Sequence, residues 1–222
     1  MRINKVVDLS LVVNAATQTY PGDPEPRFAV HSTIERDGFN LLSVSMGSQT
    51  GTHVDAPYHF DESAPKLDEL PLDRFAGRGV IVDARNLGPR GRITWEHVAP
   101  VLEQLEPGVI VLLHTGWSAH YGTDVYFENP FLDAEACRRM IALGVRTFGI
   151  DAINIDETPD DEHPGEGFPV HHLIAAQAGV IAENLTNLAA IDFADPLISL
   201  LPIAFEAADG APVRAVALQL EA

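Results

Sequence analysis

The stretch from Ser48 to Phe60, SQTGTHVDAPYHF, gathers two histidines, an aspartate and a glutamine around a glycine and a proline. Imidazole nitrogen with carboxylate oxygen is a ligand set that suits Zn2+, Mn2+ or Fe2+. Gly51 and Pro57 disfavour a helix here. In an extended chain Gln49, Gly51, His53 and Asp55 point to the same side, because side chains alternate with period two. His53 and Asp55 then stand roughly 7 Å apart along the backbone, from where both can converge on one ion. Pro57 turns the chain, so that His59 can fold back over the same pocket. The bland alternative is a tight turn whose polar side chains bond locally.

A second set of donors lies in GVIAENLT, residues 179–186. Read as a strand, it puts Ile181, Glu183 and Leu185 on one face, so that the carboxylate sits among apolar side chains. Such burial is costly unless the group is paired or binds a metal; an arginine or solvent at the strand end is the alternative. Twelve residues earlier, at the start of a short helix, stands His171. A helix, a turn at Gly179 and a returning strand can bring it to Glu183, although spacing alone does not separate His171 from His172. Together the two segments supply enough nitrogen and oxygen donors for one or two divalent ions. His31, His97 and His120 lack partners at ligand spacing, His163 falls in an acidic loop, and His114 closes the apolar run GVIVLLHTG near a strand end. No phosphate-binding glycine loop and no G-x-S-x-G elbow is present, which removes nucleotide binding and serine-elbow chemistry.

The elements that must position these groups alternate in type. KVVDLSLVV, RFAVHSTI and LLSVSM are alternating or β-branched runs, interrupted by the turn-forming YPGDPEP. Downstream, GVIVDAR, GVIVLLHTG, RTFGIDAI and VIAENL read as strands. Between them TWEHVAPVLEQLE, with Thr94 as N-cap, DAEACRRMIALG from Asp133 to Gly144, and HHLIAAQAG up to Gly179 read as helices. APVRAVALQLEA alternates as a closing strand. The order, β-rich and then β-α-β-α-β-α-β, predicts an α/β domain with a mixed sheet, and 222 residues without repeats or a linker predict one domain over residues 1–222.

Hydrophobic content of 46% and charged content of 21% are ordinary for a globular protein. No apolar run reaches the roughly 20 residues of a membrane helix, and MRINKVVDLS lacks the apolar core of a signal peptide, so a cytoplasmic location is expected. A net charge of −18 argues against nucleic-acid or anionic-membrane partners. The single cysteine, Cys137, rules out internal disulfides and cysteine-based zinc sites; it reads as a small core residue.

With these residues assembled, QTGTHVDAPYH at 49–59 resembles the signature H-x-G-T-H-x-D-x-P-x-H of the cyclase family of metal-dependent hydrolases. That family includes bacterial kynurenine formamidases and isatin hydrolases. VVDLS, YPGDP, TGW at 115–117, GID at 149–151 and FPVHHLIAAQAGVIAENLTNL resemble its other segments, so the likeness runs nearly the whole length. It implies a swivelling β/β/α fold with a barrel-like mixed sheet flanked by helices, usually a dimer or tetramer, and a substrate pocket near a subunit boundary. It also implies that His53 and Asp55 hold one ion, that Asp55 bridges to a second held by His171 and Glu183, and that His59 is the catalytic acid/base. The family spacing selects His171 over His172.

Gln49 departs from the pattern, standing where the signature has its first histidine. Its neutral amide oxygen is a poorer zinc ligand than imidazole. The first ion would then bind weakly, or a single ion would use His53, Asp55, His171 and Glu183, or chemistry would be lost. The intact Gly51, Thr52, His53, Asp55, Pro57 and His59 favour a one-metal or harder-metal, Mn2+-like enzyme. The expected chemistry is hydrolysis of the C–N bond of a small aryl amide, an N-formylarylamine or a cyclic amide such as isatin. A metal lowers the pKa of water toward about 7, and His59 moves the proton to the leaving nitrogen. Tyr20, Phe60, Trp117 and Phe168 are candidate walls for the aromatic ring. The alternatives are a polyketide-type cyclase or dehydratase, and a metal-binding or small-molecule-binding protein that has lost turnover.

Overall fold

The computed structural model describes residues 2–221. Thirteen strands run in chain order: β1 (Arg2–Asp8), β2 (Arg27–Ser32), β3 (Leu41–Ser45), β4 (His53–Asp55), β5 (Ala76–Asp83), β6 (Arg92–Ile93), β7 (Ile110–His114), β8 (Phe131–Leu132), β9 (Thr147–Ile150), β10 (Val180–Glu183), β11 (Leu197–Ser199), β12 (Gly210–Pro212) and β13 (Val216–Glu221). The α-helices are short: α1 (Ile34–Asp37), α2 (Trp95–Val98), α3 (Ala134–Ala142) and α4 (Pro169–Ala175). Nine strands form one mixed sheet in the order β1-β13-β11-β5-β7-β9-β10-β4-β12. The strands β5, β7, β9 and β10 are parallel, whereas β4 is antiparallel to both β10 and β12. This is the expected α/β class with a mixed sheet; no pairing closes β1 onto β12 among the described residues. The closing run was read through Ala222, which lies outside the described residues.

Parallel strands covered on both faces read as continuous apolar runs, and β7, all of it buried, is such a run. Its residues divide by period two. Val111 and Leu113 enter a core with Phe148, Ile181, Cys137 and Met140; Ile110 and Leu112 enter a second with Val54, Ala182 and Leu200 on the other side. Cys137 is a core residue, and burial pushes its thiol up to about 12. Asp133 caps α3, accepting from the backbone N–H groups of Glu135 and Ala136.

Three local readings change. The helix expected from Thr94 is α for one turn only and continues as a 3-10 helix over Ala99–Gln104, because Pro100 has no N–H to donate. The extended run expected from Gln49 begins at His53; residues before it turn, with Gly51 at φ +70 where a Cβ would meet Val13 Cγ2 at 2.7 Å. In VIAENL the alternation breaks at Asn184 (φ 56), so Leu185 joins the core opposite to Ile181.

Candidate metal centre

Strand pairing assembles the donors. β4 lies between β10 and β12, and its register sets His53 opposite Glu183 and Asp55 opposite Ile181. His53 and Asp55, two apart on one strand, face the same side. Helix α4 delivers His171 in its first turn, while His172 is exposed. The four side chains are all buried. His53 Nε2 stands 3.4 Å from Asp55 Oδ1 and 3.8 Å from Glu183 Oε2; His171 Nε2 stands 3.6 Å from Asp55 Oδ2 and 3.4 Å from Glu183 Oε1. Each carboxylate thus reaches both imidazoles.

One ligand atom each from His53, Asp55 and Glu183 lie within 4.8 Å of one another, close enough to share a cation, and His171 Nε2 faces the opposite oxygen of each carboxylate. Ligand atoms about 2.1 Å from a tetrahedral ion stand about 3.4 Å from one another. The far side of each imidazole is occupied: His53 Nδ1–H donates to the Gly51 carbonyl at 2.8 Å, and His171 Nδ1–H to Asp156 Oδ2 at 2.7 Å. That arrangement turns both Nε2 atoms inward, as the hydrogen bonds behind metal-binding histidines do. Ile155 N–H holds Glu183 Oε1 at 2.7 Å. Two buried oxygens, Asp55 Oδ1 in the cluster and Gln49 Oε1 on a residue lining the cleft, have no hydrogen-bond partner, a costly state that a cation in the cluster would relieve for Asp55.

The buried carboxylates and histidines of the cluster shift one another. Burial favours neutral His53, yet the Asp55 and Glu183 carboxylates outweigh it and hold the imidazole up to about 9. Burial likewise opposes charge on His171, and Asp156, Asp55 and Glu183 overcome it, raising its pKa well above the ordinary value. The same histidines hold Asp55 below the usual carboxylate range against its burial.

Above the cluster opens a cleft with room for about 110 Å3. Gln49, Tyr20, Phe60 and Phe168 line it, as do His59, Asp23 and Asn154. His59 follows Pro57 through one 3-10 turn and its ring packs edge-on against Phe60, which lies 4.3 Å from the His171 ring. Trp117 is elsewhere: a 3-10 turn after β7 sends it into the core, where its indole N–H donates to the Val125 and Tyr126 carbonyls. TGW and GID serve structure, since Asp151 accepts from Thr115 N–H, Thr115 Oγ1 and Gly116 N–H.

Two aspartates escaped the sequence reading. Asp156 accepts from Val170 N–H and His171 N–H as well as from the His171 ring, tying the start of α4 to the donor it carries. Asp209, just before β12, accepts from Ser48 Oγ, Gln49 Nε2 and His59 Nδ1. Burial opposes protonation of His59, but the Asp209 hydrogen bond and the Asp55 charge raise its pKa; Asp209 is held down to about 2 chiefly by that bond. Neither aspartate carries a local signal, because Asp156 meets its partners only through the packing of α4 and Asp209 only through the pairing of β12.

A mixed sheet with an inward-facing His-Asp-His-Glu cluster at the edge of a cleft defines an α/β protein built around a candidate divalent-metal site. The model of the Cyclase family, described as "Putative cyclase", matches residues 7–157, and the chain belongs to that family. It is 32% identical over 220 residues to a kynurenine formamidase of Bacillus cytotoxicus, covering 97% of this chain and 98% of that one. To the kynurenine formamidase of Bacillus anthracis it is 32% identical over 218 residues, with the same coverage. In fold it resembles isatin hydrolase A of Labrenzia aggregata, with a TM-score of 0.87, 23% identity, and coverage of 98% of this chain and 94% of that one. A solved potential metal-dependent hydrolase with cyclase activity gives a TM-score of 0.80 at 25% identity, with 98% and 99% covered.

Proposed function

We propose that this chain is a metal-dependent hydrolase that cleaves the C–N amide bond of a small aryl amide, with an N-formylarylamine of the formylkynurenine type as the leading substrate class and a cyclic aryl amide such as isatin next. The observation that carries the reading is the inward-facing His53, Asp55, His171 and Glu183 cluster beneath an aromatic-lined cleft. Family membership and full-length similarity to kynurenine formamidases support the choice of amide. One Zn2+ or Mn2+ per subunit is the proposed cofactor. Gln49 Oε1, buried without a hydrogen-bond partner on the cleft wall, is proposed as a further, harder oxygen donor that would favour Mn2+.

When bound, a divalent ion supplies Lewis acidity, lowering the pKa of water and polarising a carbonyl oxygen. The chain supplies the rest. His53 and His171, pinned through Nδ1, keep Nε2 available as donors. His59 takes the proton of the attacking water and returns it to the leaving nitrogen as the C–N bond breaks and that nitrogen keeps the electron pair. The products are an arylamine and formate, or the ring-opened acid. Phe60, Phe168 and Tyr20 offer flat apolar surface for the aryl ring.

Residues 1–222 are read as one hydrolase domain acting in the cytoplasm as a homo-oligomer. The hairpin of β2 and β3 supports self-association, since Val30, Leu41, Leu42 and Val44 are exposed on a two-stranded sheet. No helix among the described residues is long and apolar enough to cross a membrane. The test is formate release from N-formylkynurenine and ring opening of isatin, each with chelator-stripped protein before and after return of Mn2+ or Zn2+. Metal-restored formate release supports the proposal; no turnover of either amide with either metal refutes it.

A further inference from the structure

We propose that Asp209 is a positioning residue that fixes both the tautomer of His59 and the amide orientation of Gln49, an inference that rests on the reading of His59 as the acid/base. Its Oδ2 lies 2.8 Å from Gln49 Nε2 and 3.1 Å from His59 Nδ1, and its Oδ1 lies 2.8 Å from Ser48 Oγ. An ionised carboxylate only accepts hydrogen bonds, so all three partners must donate.

Two ambiguities are settled by that one requirement. The imidazole of His59 carries its hydrogen on Nδ1, which leaves Nε2 as the bare acceptor. The carboxamide of Gln49 turns its nitrogen to Asp209, which sends Oε1 the other way, where it is buried and has no partner. Gln49 Nε2 and His59 Nδ1 are 3.4 Å apart, a contact between two donors flanking one oxygen rather than a bond between them. Both side chains line the cleft.

The backbone is shaped for this arrangement. The residue after Asp209 is Gly210, paired with Asp55 in the sheet. A Cβ there would come within 2.6 Å of Gln49 Nε2 and 2.4 Å of the Val54 carbonyl oxygen. The missing side chain makes the space in which the Gln49 amide lies beside Asp209. Through antiparallel pairing of β12 with β4, the carboxylate reaches a histidine 150 positions away in sequence.

The experiment uses metal-free full-length protein and two-bond proton–nitrogen correlation spectra at alkaline pH, where imidazole is neutral, with His59 assigned by its loss in His59→Ala. The wild type should show His59 as the Nδ1–H tautomer. Asp209→Ala should populate the Nε2–H tautomer, and the metal-loaded variant should lose about 10- to 100-fold in kcat on an N-formyl aryl amide, with KM changed by less than about threefold. Should Asp209→Ala fail to fold, Asp209→Asn is read in the same spectra: it offers one acceptor oxygen for three donors, and a second His59 tautomer should appear. An unchanged Nδ1–H tautomer in the folded variant overturns the proposal. Full turnover by His59→Ala overturns the acid/base reading instead, and the spectra separate that failure from the first.

Discussion

Binding of a divalent ion to the cation-free protein should release close to two protons at about pH 7. The number comes from the cluster itself. Asp55 and Glu183 are buried beside His53 and His171, and those carboxylates overcome burial to hold His53 up to about 9 and His171 well above its ordinary value. Both imidazoles are therefore shifted toward their protonated forms in the cation-free protein. An ion needs both Nε2 lone pairs, and its two charges replace the two protons, so the exchange leaves the charge of the cluster unchanged. Apparent affinity should rise with pH by up to about tenfold per unit for each proton released, up to about 100-fold where both histidines are protonated. Titration calorimetry in two buffers of different ionisation enthalpy gives the proton count directly. Release of fewer than about half a proton per ion, or an affinity flat from about pH 6 to 8, would refute the charge exchange.

The same shift fixes the sign of a stability effect. His53 has a folded pKa above its ordinary value of 6.5. Its stabilisation is thus fully present below about pH 6.5 and is lost as pH rises toward about 9, on the order of 3 kcal/mol in total. Cation-free protein should melt at progressively lower temperature across that window. With the ion bound, both histidines are neutral donors at every pH in the window, and the decline should vanish.

Three further perturbations address separate contacts. Asp156→Asn keeps the shape but removes the charge behind His171, and should weaken metal binding by about 10- to 100-fold when read by competition with a chelator. Gly210→Ala should destabilise the fold by about 1–3 kcal/mol in denaturant unfolding, because the Val54 carbonyl that its Cβ meets is backbone and cannot swing aside. Leu42→Lys on the exposed β3 should shift a self-associated protein toward monomer in sedimentation velocity without changing its far-ultraviolet spectrum; an unchanged mass removes the hairpin as a contact surface.

The site was legible where chemistry conflicted with local pattern. Glu183 stood out as a charge inside an apolar run, and His53 with Asp55 as two donors on one face of a strand. Folding settles what spacing left open: α4 turns His171 onto β10 and His172 outward. The misreadings have equally local causes. Pro100 denied a helix its hydrogen bond, Asn184 in the left-handed region broke a strand's alternation, and a turn after β7 carried Trp117 away from the cleft. Asp156 and Asp209 were illegible for a different reason. Both are loop aspartates of ordinary appearance, and only the packing of α4 and the pairing of β12 give them partners.

Gln49 shows how far this difference reaches. In the sequence it is a defect, a neutral amide where the family signature has imidazole. In the fold its two ends do different work. The nitrogen joins Ser48 and His59 in gripping Asp209, while the oxygen is buried without a hydrogen-bond partner on a residue that lines the cleft. A histidine could serve the same two directions with its two nitrogens, so the substitution exchanges a nitrogen donor for a harder oxygen and leaves the carboxylate contact in place. The four donors do not depend on it: none of their close contacts with one another passes through Gln49. On the proposed reading, Gln49 bears on which ion is preferred. Gln49→His should raise Zn2+ affinity relative to Mn2+ in competition titrations, and an unchanged ratio would remove Gln49 from the ligand set.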